Sequence, residues 1–253
     1  MLDRIQAYFG VGVVYKGEKN IYRYMVRKPQ ELRVIVEHFD KYPLITQKLV
    51  NFKLFKEAVE ILCRKEHLTS EGLRRLVAIK ASMNLGLNEE LKAAFPDIVP
   101  VPRPLVDCRD IKNPNWLSGF ATAEGCFLIK LKQNKLNDGY FVTLRFQLTQ
   151  HAKDEQLLRS LEAYLSCGRY ENQKGDWGNF VCTKFADIDA KIIPFFRKYP
   201  MSGLKLLNFS DWCKAADIIK VKAHLTPNGV NQILTIRAGM NRKRDALNHK
   251  GIE

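Results

Sequence analysis

One stretch of this chain occurs twice. Lys41–Asn84 aligns with Lys198–Asn241 at a constant offset of 157, and 18 of the 44 positions are identical without a gap. Lys41-Tyr42-Pro43 falls on Lys198-Tyr199-Pro200, Lys48-Leu49 on Lys205-Leu206, and Asn51-Phe52 on Asn208-Phe209. His67-Leu68-Thr69 with Gly72 falls on His224-Leu225-Thr226 with Gly229, and Met83-Asn84 on Met240-Asn241. Identity on that scale means two copies of one structural unit. With a one-residue slip the match extends back, Met1–Gly12 lying on Leu157–Gly168. The second copy carries a further 44 residues in front of that point, Asn113–Gln156, with no counterpart in the first. Chemistry held in Asn113–Gln156 is therefore present once where the duplication suggests twice.

The formal net charge of +14 over 253 residues favours a polyanionic partner, a nucleic acid or an anionic membrane surface. No apolar run approaches membrane-spanning length. The N-terminus reads as an amphipathic helix with Leu2, Ile5, Tyr8 and Phe9 on one face, not as a secretory leader. The six cysteines, at 63, 108, 126, 167, 182 and 213, form no C-x-x-C pair and read as reduced, buried thiols of an intracellular protein.

The second copy reads as a helix over Pro114–Glu124, capped by Asn113 or Asn115, followed by an alternating strand over Cys126–Gln133. Asn137-Asp138-Gly139 reads as a turn, and Phe141–Thr149 alternates again, with Val142, Leu144, Phe146 and Leu148 facing one way. A helix over Lys153–Leu165 leads to a hairpin of Gly168–Gln173 and Phe180–Lys184. Helical stretches follow over Ile188–Phe196, Phe209–Lys222 and Pro227–Asn241. The first copy reads as a helix over Leu2–Phe9, strands near Val11–Tyr15 and Tyr22–Val26, and helices near Glu31–Phe39, Phe52–Glu66 and Ser70–Asn84.

The fold class expected is α+β, with αββαββα units built on antiparallel sheets. Residues 1–95 form a first, incomplete unit, 113–253 a second, complete one, and 96–112 an extended linker stiffened by prolines 96, 100, 102 and 104. One sheet face of the second unit carries Lys130, Lys132, Thr143, Arg145, Gln147, Arg169 and Lys184, and Arg23 and Arg27 continue that face in the first. Such a surface suits a nucleic-acid groove, where Arg and Gln read base edges.

The segment Trp116–Phe127, WLSGFATAEGCF, carries the chemistry. Gly119 and Ala123, four apart on a helix, allow a second helix to approach closely, and Glu124 ends the helix before Gly125 turns into the strand. A symmetry-related partner helix would bring two such carboxylates together, and two carboxylates with backbone carbonyls offer hard oxygens to Mg²⁺, where bound metal could assist phosphodiester cleavage.

Leu117–Gly125 resembles the nonapeptide of the LAGLIDADG homing endonucleases, with Glu124 at its last acidic position. The duplication, the element order, the basic sheet face and the linker resemble the single-chain members. The phrases KYPLITQKL, KEHLT, WLSGFATAEGCF and TQHAKD resemble the fungal mitochondrial intron-encoded branch. The resemblance implies a site-specific endonuclease that makes metal-dependent double-strand breaks in DNA. It implies that Glu124 and the Ala123 carbonyl bind Mg²⁺, with Gln150 and Lys184 beside the cleavage site and Arg27 at the Lys184 position of the first copy. His67 and His224 are expected to be structural. A mitochondrial location is implied, and double-stranded DNA as partner. The alternatives are an RNA-binding maturase acting on its host group I intron and a catalytically dead DNA-binding protein.

No second acidic motif is present, and Arg242–Glu253 does not supply one. The expectation is that the first unit lacks its motif helix and two strands. The chain is then expected to be poorly stable, aggregation-prone or dimerising, and not to cut both DNA strands, where a complete form would be a cleaving monomer.

Overall fold

A computed structural model describes residues 1–18, 21–105, 110–133 and 139–241. The expected turn residues Asn137 and Asp138 and the tail 242–253 lie outside the described residues. The chain divides into two compact units, Met1–Cys108 and Arg109–Glu253, the division falling within the proline-rich segment.

Unit 2 opens with α6 (Pro114–Glu124), which runs straight into β3 (Gly125–Gln133) and β4 (Tyr140–His151). α7 (Glu155–Leu165) leads to β5 (Arg169–Asn172) and β6 (Trp177–Cys182). All pairings in this sheet are antiparallel and the order is β3-β4-β6-β5. The alternation in the sequence has its physical cause in the two faces. Phe127, Phe146, Leu148 and Phe180 are fully buried against the helices, while Lys130, Lys132 and Thr143 stay exposed. Phe127 is the centre of this core: its ring lies 5.1 Å from Phe146, 5.3 Å from Phe209 and 5.2 Å from Trp212. Burial of one such ring is worth about 1.5–3 kcal/mol.

The hairpin is tighter than the sequence suggests. Gln173 N donates to Trp177 O at 2.9 Å, so β6 starts at Trp177 and ends at Cys182. Lys184, expected in that strand, lies beyond it, at the position just before the next helix. That helix is continuous from α8 (Phe185–Asp187) through a π-turn, Ile188–Ile192, to α9 (Ile193–Lys198). α10 (Leu204–Lys220) and α11 (Pro227–Ala238) complete the unit.

Unit 1 comprises α1 (Leu2–Phe9), the hairpin β1 (Val13–Lys16) and β2 (Tyr22–Met25), then α2 (Pro29–Lys41), α3 (Lys48–Cys63) and α4 (Ser70–Ser82). A short α5 (Glu89–Ala94), not anticipated from the sequence, starts at Asn88, whose side chain accepts from Leu91 N at 3.1 Å. Phe9 stacks on Tyr24 at 6.2 Å, fixing α1 on the hairpin. The expected linker begins with a turn at Pro96 and Asp97 and then lies on unit 1: Val101 N donates to Ala78 O, Ser82 Oγ donates to Val101 O at 2.5 Å, and Val101 packs against Leu54, Ile61 and Ile79.

The strand registers locate the slip between the copies. Val13 pairs with Met25 and Arg169 with Val181, a shift of 156 for both residues. Lys41 and Lys198, at the ends of the following helices, are shifted by 157. α2 is an ordinary α-helix, whereas the equivalent helix of unit 2 holds the π-turn, which accommodates one extra residue. The expected pairing of Arg27 with Lys184 is corrected by this register. Lys28 is the counterpart of Lys184: each precedes its helix and lies near an acid three residues on, Glu31 at 3.1 Å and Asp187 at 3.9 Å.

Candidate catalytic and nucleic-acid site

α6 starts because Asn113 Oδ1 accepts from Asn115 N at 2.9 Å and Pro114 occupies the first turn. It buries Leu117, Ser118 and Ala121 and leaves Gly119, Ala123 and Glu124 exposed. At Gly125 a Cβ would lie 2.4 Å from Ala121 O, so only glycine lets the helix pass directly into β3. Glu124 is thereby fixed where helix meets sheet. Gly125 pairs with Leu148, which brings the end of β4, with Gln150, to the same place. In strand parity Gln150 shares the helix-covered face of Leu148, not the face of Gln147 and Thr149.

The second functional group at this junction is one that sequence reasoning missed. Lys205 Nζ donates to Gly125 O. Its approach is set by the loop before α10: Ser202 N donates to Thr122 Oγ1 at 3.3 Å, and Thr122 Oγ1 donates to Ser118 O at 2.8 Å. The half-buried Lys205 ammonium and the Arg145 guanidinium both pull the Cys126 thiol down, but burial outweighs them and pushes it up. The sequence signal was the repeat itself, which sets Lys205 on Lys48.

Lys184 is not brought to this junction. It follows Cys182, the partner of Phe146, and so leaves the sheet near the middle of β4, whereas Glu124 adjoins the residue facing Leu148. Its side chain is 77% exposed.

The polar face of the sheet is a connected hydrogen-bond system. Arg145 Nε donates to Gln147 Oε1 at 2.9 Å and Arg145 Nη2 to Glu171 Oε2 at 3.0 Å. Arg169 Nη2 donates to the other oxygen of Glu171. Gln147 Nε2 donates to Thr149 Oγ1 and to Asn179 Oδ1, both at 2.9 Å, and Thr149 Oγ1 donates to Asn179 Oδ1 at 2.6 Å. Asn179 is only 1% exposed. Lys130 and Lys132 extend this face along β3, beyond Leu128, the partner of Arg145. Glu171, Asn179 and Thr149 were absent from the sequence-based set, and Glu171 places a carboxylate in a face expected to be basic.

In unit 1, Arg23 is exposed on β2 opposite Tyr15, on the face away from Tyr24 and α1. Arg27 lies past that strand, with Nε 2.7 Å from Met25 Sδ. Lys48 is exposed at the start of α3.

Among the described residues no three His, Cys, Asp or Glu side chains gather as a metal cluster. Glu124 still suits a hard divalent ion: an exposed carboxylate, beside last-turn helix carbonyls that lack intrahelical partners. Among the described residues no helix is long and apolar enough to cross a membrane.

Known proteins resemble this arrangement throughout. The chain is 37% identical over 237 residues to a probable intron-encoded endonuclease of Neurospora crassa, which is 92% of this chain and 44% of that relative. It spans about half the length of the curated relatives it matches first. Over 69 residues, 27% of this chain and 15% of the relative, it is 45% identical to an uncharacterised Podospora anserina protein in ND4 intron 1. The solved LAGLIDADG homing endonuclease I-SmaMI, bound to cleaved DNA, superposes with a TM-score of 0.94 at 43% identity, covering 96% of this chain and 82% of that one. I-SmaMI has also been solved on an uncleaved DNA target with calcium ions. The LAGLIDADG endonuclease family model matches residues 1–59 and 117–216, and the chain belongs to that family.

Proposed function

We propose that this chain is a site-specific endonuclease of double-stranded DNA, with its chemistry at the α6–β3 junction of unit 2. The observation that carries this reading is the Lys205 Nζ bond to Gly125 O, which holds a cation on the backbone carbonyl of the residue that follows Glu124. Glu124 and the Ala123 carbonyl would hold Mg²⁺. Bound there, the ion supplies an activated water and stabilisation of the leaving oxygen. Lys205 contributes fixed positive charge where a scissile phosphate would gain negative charge. Gln150, at the same end of the sheet, offers an amide that can orient water. In this reading Arg145, Gln147, Thr143, Lys130, Lys132 and Arg169 face DNA in unit 2, and Arg23 and Arg27 face it in unit 1. The ND4 intron relative supports an organellar, mitochondrial setting.

The test is cleavage of a plasmid carrying the uninterrupted intron-insertion site. Magnesium-dependent nicking or linearisation at one position, absent in the Glu124→Gln form, is the expected result. Cleavage insensitive to Glu124→Gln would remove this junction from the reaction.

A further inference from the structure

Glu171 stands out as a carboxylate on a surface facing a polyanion, and the proposed reading gives it no role. It sits on β5 opposite Asn179 and bridges two arginines through separate oxygens. The Arg145 side chain is only 15% exposed, against 59% for Arg169. Resting on the reading that this sheet face contacts DNA, we propose that Glu171 is a specificity-determining positioning residue that aims Arg145 at a base edge.

An arginine has five N–H donors in a rigid fork. Here Nε is committed to Gln147 and one Nη2 hydrogen to Glu171, so the Nη1 group and the other Nη2 hydrogen remain. Those are the donors needed for a bidentate contact to the O6 and N7 of guanine. Gln147 is itself held by Asn179, which is buried, so the guanidinium is fixed from both sides. A fixed fork binds a base without a further ordering cost, whereas a free arginine swings to the nearest phosphate. Glu171 also offsets part of the positive charge of Arg145 and Arg169, which lowers attraction to DNA of any sequence.

The neutral, near-isosteric Glu171→Gln variant tests this. It is compared with wild type and Arg145→Ala by selection from a duplex library randomised throughout, and by salt titration of binding to one arbitrary duplex. Melting temperature is followed for each form. Glu171→Gln is expected to lose base preference at the same position as Arg145→Ala, by roughly tenfold to a hundredfold. On the arbitrary duplex its affinity should not fall, and its salt slope should steepen by about 1–2, one for each arginine released. If Arg145→Ala loses a base position while Glu171→Gln keeps it with an unchanged salt slope, the positioning role is overturned and the DNA-facing surface stands. If neither variant alters any base position, the DNA-facing reading falls too. A lowered melting temperature with an intact preference profile would show a merely structural role and would likewise overturn the inference.

Discussion

Lys205 Nζ donates a hydrogen bond to the carbonyl of Gly125, 80 residues away in sequence and adjacent to Glu124. If this cation stabilises charge on a phosphate, Lys205→Ala should lower the single-turnover cleavage rate by about 10²–10³. DNA affinity should change little, because one phosphate contact among many is a small part of binding. An unchanged cleavage rate with a lowered melting temperature would make Lys205 only a clamp between α10 and β3.

Glu124→Gln keeps the shape of the side chain and removes its charge. Binding to DNA is expected to persist while metal-dependent cleavage of at least one strand stops. Chelation of divalent ions with EDTA should reproduce the same pattern in the unaltered chain. Gel-shift and cleavage assays on the same duplex measure both halves, and joint loss of binding and cleavage would assign Glu124 to folding instead.

The sequence made much of unit 2 legible because alternation and caps are local. β3 and β4 follow from two-residue periodicity, and α6 from Asn113, Pro114 and the glycine at 125. Lys205 was hidden for the opposite reason: nothing local ties it to Glu124, and only the repeat with Lys48 set it apart. The polar network was also out of reach, since the meeting of Arg145 with Glu171 and of Gln147 with Asn179 depends on cross-strand register. Register likewise moved the Lys184 counterpart from Arg27 to Lys28. The slip between copies was visible as a change of offset, but its accommodation in a π-turn needed the backbone.

Gly125→Ala should be severe for one methyl group. The added Cβ would lie 2.4 Å from the Ala121 carbonyl, a backbone atom that cannot swing aside. Either the last turn of α6 unwinds or β3 shifts, at a cost of roughly 1–3 kcal/mol as for other forced overpacking. Urea unfolding followed by tryptophan fluorescence reports on unit 2 alone, because Trp116, Trp177 and Trp212 all lie there. A midpoint equal to the parent's would mean that the junction relaxes freely.

Asn84 and Asn241 occupy equivalent places after the last helix of each repeat, both in the left-handed region, with φ of 50° and 56°. Their bonds differ. Asn241 Nδ2 donates to Phe127 O at 3.0 Å, deep in unit 2, while the exposed Asn84 accepts from Asn51 Nδ2 at 3.2 Å. Replacement by alanine strains both backbones alike, so the strain cancels in the comparison. What remains is the Phe127 carbonyl, left without this donor in a core of aromatic rings. Asn241→Ala should therefore cost about 1–3 kcal/mol more than Asn84→Ala, the usual penalty for an unpaired buried acceptor. Tryptophan fluorescence during urea unfolding measures the loss in unit 2, and amide exchange in α3 and α4 measures it in unit 1. Equal losses would mean that Trp212, whose Nε1 donates to Leu128 O at 3.1 Å, holds β3 without help from Asn241.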